Sequence, residues 1–339
     1  MSNCIIWTTE LYAPRHYPAH LIFGESFWFY EEGKRQGLGF WGRPGGGWRE
    51  TGVVTSGGSP DYPVALPLGA QLTWLSKTER KYYQAIIKLP QAQILEEFAK
   101  NFDFEWDKKR NQARHTMLQF AFAPNGFILL RAGGTRTIEI ANYHAQKIEM
   151  SWEFFARTHH FSPEILSEQE YFDDHYHTLP EYIKKQVDNN DFPLKRWQDY
   201  STKFYWQLSV GFEVFGCRIC CVNGNNEFFN KESMDTSKTI SQQYTPAWIK
   251  IYHKENGKRL QTFIRFTKQK QGMAENSTDD VDIFEFFKSH LNAQKKYTVI
   301  LKKIQNNFQA ILMNGVDVIK IPIYEVVTSY VADSDLLWF

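Results

Sequence analysis

No uninterrupted apolar run in the 339-residue sequence approaches the ~18 residues that suggest a membrane-spanning helix, so no span is expected. Neither sign of charge is in excess. Thirty-nine Lys and Arg stand against 38 Asp and Glu, a net charge of +1, which argues against nucleic acid as the main partner because phosphate binding wants a basic excess on one face. Cysteine is scarce, and Cys4, Cys217, Cys220 and Cys221 are too few and too clustered for a disulfide framework. No low-complexity tract and no repeat of about 20–50 residues is visible. The sequence also lacks GxSxG, HExxH, a P-loop and a GxGxxG between strand and helix. It therefore points to no enzyme class, no catalytic residue, no metal and no cofactor.

Aromatic residues are plentiful: 27 Phe, 17 Tyr and 11 Trp in a chain 42% hydrophobic and 23% charged. That composition excludes the disordered class and is enough to bury a real core. The length leaves room for about two domains.

Along the chain, Ile5–Tyr12 and His20–Tyr30 read as strands, and Gly42–Gly58 as a long glycine-rich loop. Gln71–Ser76 and Tyr82–Ile87 form a pair joined by a polar turn. Pro90 opens a helix carrying Ile94, Leu95 and Phe98 at helical spacing. Asn125-Gly126 and Asn256-Gly257 are hairpin signals. From Ser151 to about Val187 the pattern is helical, with Ser162-Pro163-Glu164 as a helix start. Val187–Pro193 is the best break. Strands return at Tyr205–Val214, Trp248–His253 and Leu260–Phe266. A short helix follows at Asp282–Phe287, and strands at Tyr297–Lys303 and Val318–Val327 close the chain. The expected fold is α+β: mainly antiparallel β-sheets with a few peripheral helices, in two β-rich domains, residues 1–195 and 196–339.

Candidate chemistry is thin. Cys217-Arg218-Ile219-Cys220-Cys221 has CxxC spacing, but it follows a strand pattern and lacks two further zinc ligands, so buried strand cysteines are expected. Gly24-Glu25-Ser26 lacks the second glycine of a nucleophile elbow. Asp173 and His177 would share a helix face, with His159 or His160 as a third metal ligand, although an ordinary solvated Asp–His pair is the simpler reading. Trp41 and Trp48, with Arg43 and Arg49, stand in the glycine-rich loop, and tryptophan and arginine are favoured at interface hot spots. Cys4 follows a small polar pair, the remnant expected of a truncated lipoprotein signal, although no basic or apolar segment precedes it.

Several segments carry a resemblance. Trp7 and Tyr12-Ala13-Pro14-Arg15-His16-Tyr17-Pro18, Gly46-Gly47-Trp48, and Leu66-Pro67-Leu68-Gly69 leading to Trp74-Leu75-Ser76 and Lys81-Tyr82-Tyr83 are followed by Leu89-Pro90 and Ala123-Pro124-Asn125-Gly126. Trp197, Tyr200, Tyr205 and Trp206 complete the series. Over residues 5–215 the sequence resembles the bacterial domain of unknown function 2931, largely Gram-negative envelope lipoproteins. Members often look like immunity proteins encoded beside type VI secretion effectors, particularly phospholipase toxins.

The resemblance implies a binding protein rather than an enzyme. It would be periplasmic and lipid-anchored through Cys4, with a cognate effector toxin as partner, blocking the toxin's active or membrane-docking surface. Trp41, Arg43, Trp48 and Arg49 are the expected contact residues. Asn223, Asn225 and Glu227, and the segment Gln269–Asp280, are weaker candidates. The alternative is an envelope carbohydrate- or lipid-binding module using the same aromatic loop. A third reading is a hydrolase built on Asp173, His175 and His177.

Overall fold

The computed structural model describes residues 4–5, 7–38, 44–45, 47–48, 53–55, 64–100, 117–134, 136–231, 241–267, 279–292, 295–305, 307–315 and 317–331. They make an α+β fold dominated by antiparallel sheets. By internal contacts the chain divides into two compact units, the described part of the first ending at Trp197 and that of the second beginning at Gln198.

The first unit starts with β1 (Cys4–Ile5), β2 (Thr8–Tyr12), β3 (Ala19–Leu21), β4 (Phe27–Phe29), β5 (Arg35–Gly37), β6 (Val53–Thr55) and β7 (Val64–Ala65). The long hairpin β8 (Gly69–Ser76) and β9 (Lys81–Lys88) follows, then helix α1 (Gln91–Lys100). Strands β10 (Met117–Ala123), β11 (Phe127–Gly133), β12 (Ile138–His144) and β13 (Gln146–Ile148) complete the sheets. Helices α2 (Trp152–Thr158), α3 (Glu168–Thr178), α4 (Glu181–Asn189) and α5 (Arg196–Asp199) come next. One sheet has the order β12-β11-β10-β2-β6, with β10 parallel to β2; the other runs β13-β9-β8-β4-β5, with β3 also on β8. A separate two-stranded pairing sets Cys4 opposite Ala65.

Period-two alternation explains the first core. Ala70, Leu72 and Trp74 on β8 and Tyr83, Ala85 and Ile87 on β9 point inward to meet Leu118, Phe120 and Phe122 of the other sheet, together with Ile94 and Phe98 of α1. Trp7 and Trp28 meet edge to face at 5.4 Å. The opposite face of the hairpin is covered too. Leu75 and Tyr82 form a second cluster with Trp152, Phe155 and Ala156 of α2 and Tyr171 and Phe172 of α3. Gly69 is fixed by sterics, since a Cβ there would lie 2.3 Å from the carbonyl oxygen of Ile87.

The second unit holds β14 (Lys203–Val210), β15 (Val214–Cys221), β16 (Asn226–Asn230), β17 (Ser241–Tyr244), β18 (Pro246–Glu255) and β19 (Lys258–Arg265). Helix α6 (Asp279–His290) then precedes β20 (Tyr297–Ile304), β21 (Asn307–Asn314), β22 (Asp317–Ile321) and β23 (Glu325–Tyr330). The sheet orders are β17-β14-β20-β21-β22, with β20 parallel to β14, and β16-β15-β18-β19-β23. Phe284 and Phe287 of α6 pack on Phe204 of β14. Strand β23 ends its sheet and exposes Val326, Val327 and Tyr330.

The two units share one chain path. From their opposite edges, the first unit's sheets run β6-β2-β10-β11-β12 and β5-β4-β8-β9-β13, matching β17-β14-β20-β21-β22 and β16-β15-β18-β19-β23 of the second. The pairing senses agree, including the single parallel contact, β2 with β10 and β14 with β20. In both units the helix falls between the sixth and seventh equivalent strands. The sequence reading found no repeat because it sought similar residues at short period, whereas this repeat is of topology and spans more than a hundred residues.

Several expectations change. His20–Tyr30 is two short strands around a turn at Gly24 (φ 81°). The glycine-rich segment contains β6, and Gly47 bridges Ala13. The long helix of this region is capped by Ser167, not Ser162: Ser167 accepts from the Glu170 N–H while Glu170 reaches back to the Ser167 N–H, a full capping box. The closing strand Val318–Val327 is two strands, β22 and β23, in different sheets.

Substituting Gly69→Ala is expected to lower unfolding stability by about 2 kcal/mol, the cost of pushing a methyl against fixed backbone. Urea midpoints at unchanged m-value would measure it, and a loss below ~0.5 kcal/mol would show that the β8–β9 ladder gives way.

Candidate functional site

The site is built on the tip of the β8–β9 hairpin. Ser76 pairs with Lys81, so the turn is the four residues Lys77-Thr78-Glu79-Arg80. Glu79 is buried there. Its carboxylate accepts from Ser76 Oγ (2.7 Å), Tyr83 OH (3.1 Å) and the Asn125 N–H (3.1 and 3.2 Å to its two oxygens), with Lys81 Nζ 4.0 Å away. The hairpin is thereby tied to the Pro124–Gly126 turn, and the buried carboxyl group has the partners its burial demands.

Arg80 closes the turn in a left-handed conformation (φ 56°), where glycine is the unstrained choice. Its guanidinium lies 3.5 Å from Asp173 and 5.3 Å from the Phe172 ring. Lys77 sits over the Tyr171 ring at 3.9 Å, and Lys81 near Phe192 at 5.6 Å. Three cations of one hairpin tip therefore meet three aromatic rings of residues 171–192.

Beside them is a cleft of about 390 Å³. Thr78, Glu79 and Arg80 form one wall; Asp173, Tyr176, Asp188 and Phe192 form much of the rest. Tyr176 OH donates to Asp188 (3.0 Å), which raises the phenol's pKa. Asn190, left-handed at φ 50°, ends α4 and sits at the rim.

Behind the tip lie two neutral histidines. Thr78 Oγ1 donates to the His16 carbonyl (2.5 Å), so it accepts from His175 at 2.9 Å and Nε2 of His175 carries the proton. Burial pulls the His175 pKa down to about 4, helped by the positive charges of Lys77 and Arg80 and by the neighbouring His16. Burial, and then Arg15, pulls His16 down to about 4 as well.

The residues singled out by sequence fall apart in space. Asp173 faces Arg80 and accepts from Gln169, His175 turns to Thr78, and His177 is exposed. His159 stacks on His20 at 4.4 Å, and His20 Nδ1 meets Tyr171 OH at 2.6 Å. Among the described residues no group of three or more His, Cys, Asp or Glu is placed to hold a metal. Cys217, Cys220 and Cys221 are buried on β15, and burial pushes the Cys217 thiol up to about 12.

Trp48 needs correction. It is 6% exposed and packs on Phe127 and Trp197, so its ring is core rather than a docking platform. Trp41, Arg43 and Arg49 lie outside the described residues. Asn223 and Asn225 are buried as well: the Asn225 N–H bonds the Asn223 side chain at 3.1 Å, closing a tight turn. Glu227 is half-buried on β16, and Gln269–Asp280 lies outside the described residues except for Asp279 and Asp280, which open α6. Cys4 is described only as backbone paired with Ala65.

What sequence reading missed is the tip itself. The available signal was a four-residue turn with three charges and no glycine between two strands, which forces a non-glycine residue into positive φ.

A family model described as a protein of unknown function (DUF2931) matches residues 3–194. No curated protein and no solved structure matches. Among the described residues no helix is long and apolar enough to cross a membrane.

Two outcomes test this geometry. Arg80→Ala should cost about 1 kcal/mol, while Arg80→Gly should be near neutral, because glycine relieves the left-handed backbone that alanine keeps. Equal midpoints for the two variants in urea would remove the strain argument. Stability should also depend on pH through His16 and His175. Both are neutral in either state above pH 6.5; below it the unfolded chain takes up protons first, so stability falls from pH 6.5 down to about 4. His175→Gln should flatten that slope, and an unchanged slope in urea titrations across this window would assign it elsewhere.

Proposed function

The chain belongs to the DUF2931 family of proteins of unknown function, and on that footing we propose that it is an immunity protein. It binds a cognate type VI secretion toxin, a phospholipase effector, and neutralises it by covering the toxin's active or membrane-docking surface. It works by binding, not by catalysis. It resides in the periplasm, held to a membrane through Cys4, and its two units are separate β-rich domains.

One observation carries this reading: the cleft at the β8–β9 tip is a preorganised, mixed-charge concavity inside the family-matched part of the chain. Arg80 and Asp173 are each partly exposed, their side chains at 38% and 45%, and Tyr176 and Asp188 stand beside them. Glu79 fixes the hairpin from within, so little ordering cost remains when a partner arrives. Ionic groups held in this way steer encounter and select partners, and an arginine at the centre of a cleft suits a hot spot. Arg80, Asp173, Tyr176 and Asp188 thus replace Trp48 as the contact residues.

A second reading has its own observation. Phe192 and Tyr176 beside the Asp173 and Asp188 carboxylates offer an aromatic wall with acceptors, the combination that an envelope carbohydrate-binding module uses.

The test is co-purification with the product of the adjacent gene, followed by calorimetric titration. A one-to-one nanomolar complex that silences the neighbour's toxicity is expected, and Arg80→Glu should weaken it at least tenfold without lowering the melting temperature by more than a few degrees. Unchanged affinity would move the interface away from the cleft. Absence of a complex, together with glycan binding that Asp188→Asn abolishes, would establish the second reading instead.

A further inference from the structure

The repeated chain path gives the β8–β9 tip a counterpart, the tip of β18–β19. In each hairpin the penultimate ladder pair lies on the face away from its unit's core: Leu75 opposite Tyr82 in the first, Lys254 opposite Arg259 in the second. Inward neighbours confirm the assignment. Leu72 and Trp74 belong to the first unit's core, and Ile249, Ile251 and Ile264 are fully buried in the second.

The same place carries different chemistry in the two copies. In the first, Leu75 and Tyr82 are roofed by Trp152, Phe155, Tyr171 and Phe172, and the tip's cations lie against the rings of Tyr171, Phe172 and Phe192 and the carboxylate of Asp173. What this fold accepts at that position is visible on the first copy: helices with aromatic rings and a carboxylate.

In the second copy two cations replace the apolar pair. Lys254 and Arg259 are exposed and directly opposed across the ladder, an arrangement that destabilises a hairpin unless an anion relieves it. The nearby Glu255 is taken by Lys303 at 2.5 Å, and Lys258 meets Tyr330 (3.1 Å to its OH). One step along the same face, Tyr252 is within ring contact of Phe215 (6.3 Å) and Phe228 (6.2 Å), both half-buried. Tyr252 is itself buried, 4% exposed, so what the tip offers to solvent is the positive pair.

We propose that the β18–β19 tip docks an acidic helical segment bearing aromatic residues, supplied by a partner protein. Carboxylates of the segment pair with Lys254 and Arg259 and its rings lie over the same two cations, as Asp173 and Phe172 both meet Arg80 on the first unit. This site is separate from the cleft at Arg80 and stands whether or not the toxin-neutralising reading does.

The probe is a synthetic peptide of residues 168–192 of this chain, the segment that carries Tyr171, Phe172, Asp173 and Phe192, fluorescein-labelled and titrated against the full chain by anisotropy. Saturable binding is expected, weakened at least tenfold by Lys254→Glu and lost with Lys254→Glu/Arg259→Glu. A peptide with Asp173→Asn and Asp174→Asn should bind at least fivefold more weakly. Because Lys254→Glu converts a like-charge ladder pair into an opposite one, its unfolding midpoint should rise while binding falls, so misfolding cannot account for the loss. Three results overturn the proposal: no binding by the full chain, binding indifferent to Lys254 and Arg259, or binding only to a chain truncated after Val331, which would make residues 332–339 the occupant. None of these results touches the toxin titration at Arg80, and failure of that titration leaves this one intact.

Discussion

The buried carboxylate of Glu79 is the constraint on which the first unit's surface depends. A carboxylate that loses water needs donors on most of its lone pairs, and the surrounding structure is arranged to supply them from Ser76, Tyr83 and Asn125. Satisfying it locks the hairpin to the neighbouring Pro124–Gly126 turn and sets where the chain leaves the tip. Arg80 is then driven into the left-handed region, and Lys77 and Lys81 project to either side. The helices that follow settle against those cations. The cleft is thus a by-product of solving one desolvation problem.

The two histidines behind the tip belong to the same electrostatic setting. Burial first, and then Lys77, Arg80 and Arg15, makes protonation of His16 and His175 unfavourable, so the neutral His175 serves as a hydrogen-bond donor to Thr78. A positive tip backed by neutral imidazoles keeps its charge pattern constant across the ordinary pH range.

Where local chemistry decides structure, the sequence was readable. The β8–β9 and β18–β19 pairs, the Asn125-Gly126 and Asn256-Gly257 turns and the α1 stripe of Ile94 and Phe98 follow from alternation, positive-φ demand and helical period. Where tertiary context decides, it was not. Trp48 in a glycine-rich segment looks exposed, yet Phe127 and Trp197 bury it from far along the chain. Ser162 and Ser167 are equally good caps by type; only Ser167 has Glu170 three residues on to close the box. The cleft was illegible because Arg80 lies far along the chain from Asp173 and Asp188, which form its opposite wall. The second copy was hidden for a related reason: sheets constrain hydrophobic pattern and order, and leave residue identity free to drift.

The position of β23 at the end of its sheet has a consequence for the protein in bulk. Val326, Val327 and Tyr330 are exposed on a strand that, among the described residues, ends its sheet, and a sheet edge is a template for another strand. Edge-to-edge pairing between molecules is second order in concentration, so it vanishes at dilution and dominates in a concentrated stock. The colloidal ceiling of this protein therefore depends on its last described strand, and a single lysine within Val326–Tyr330 is the change by which that ceiling would be raised.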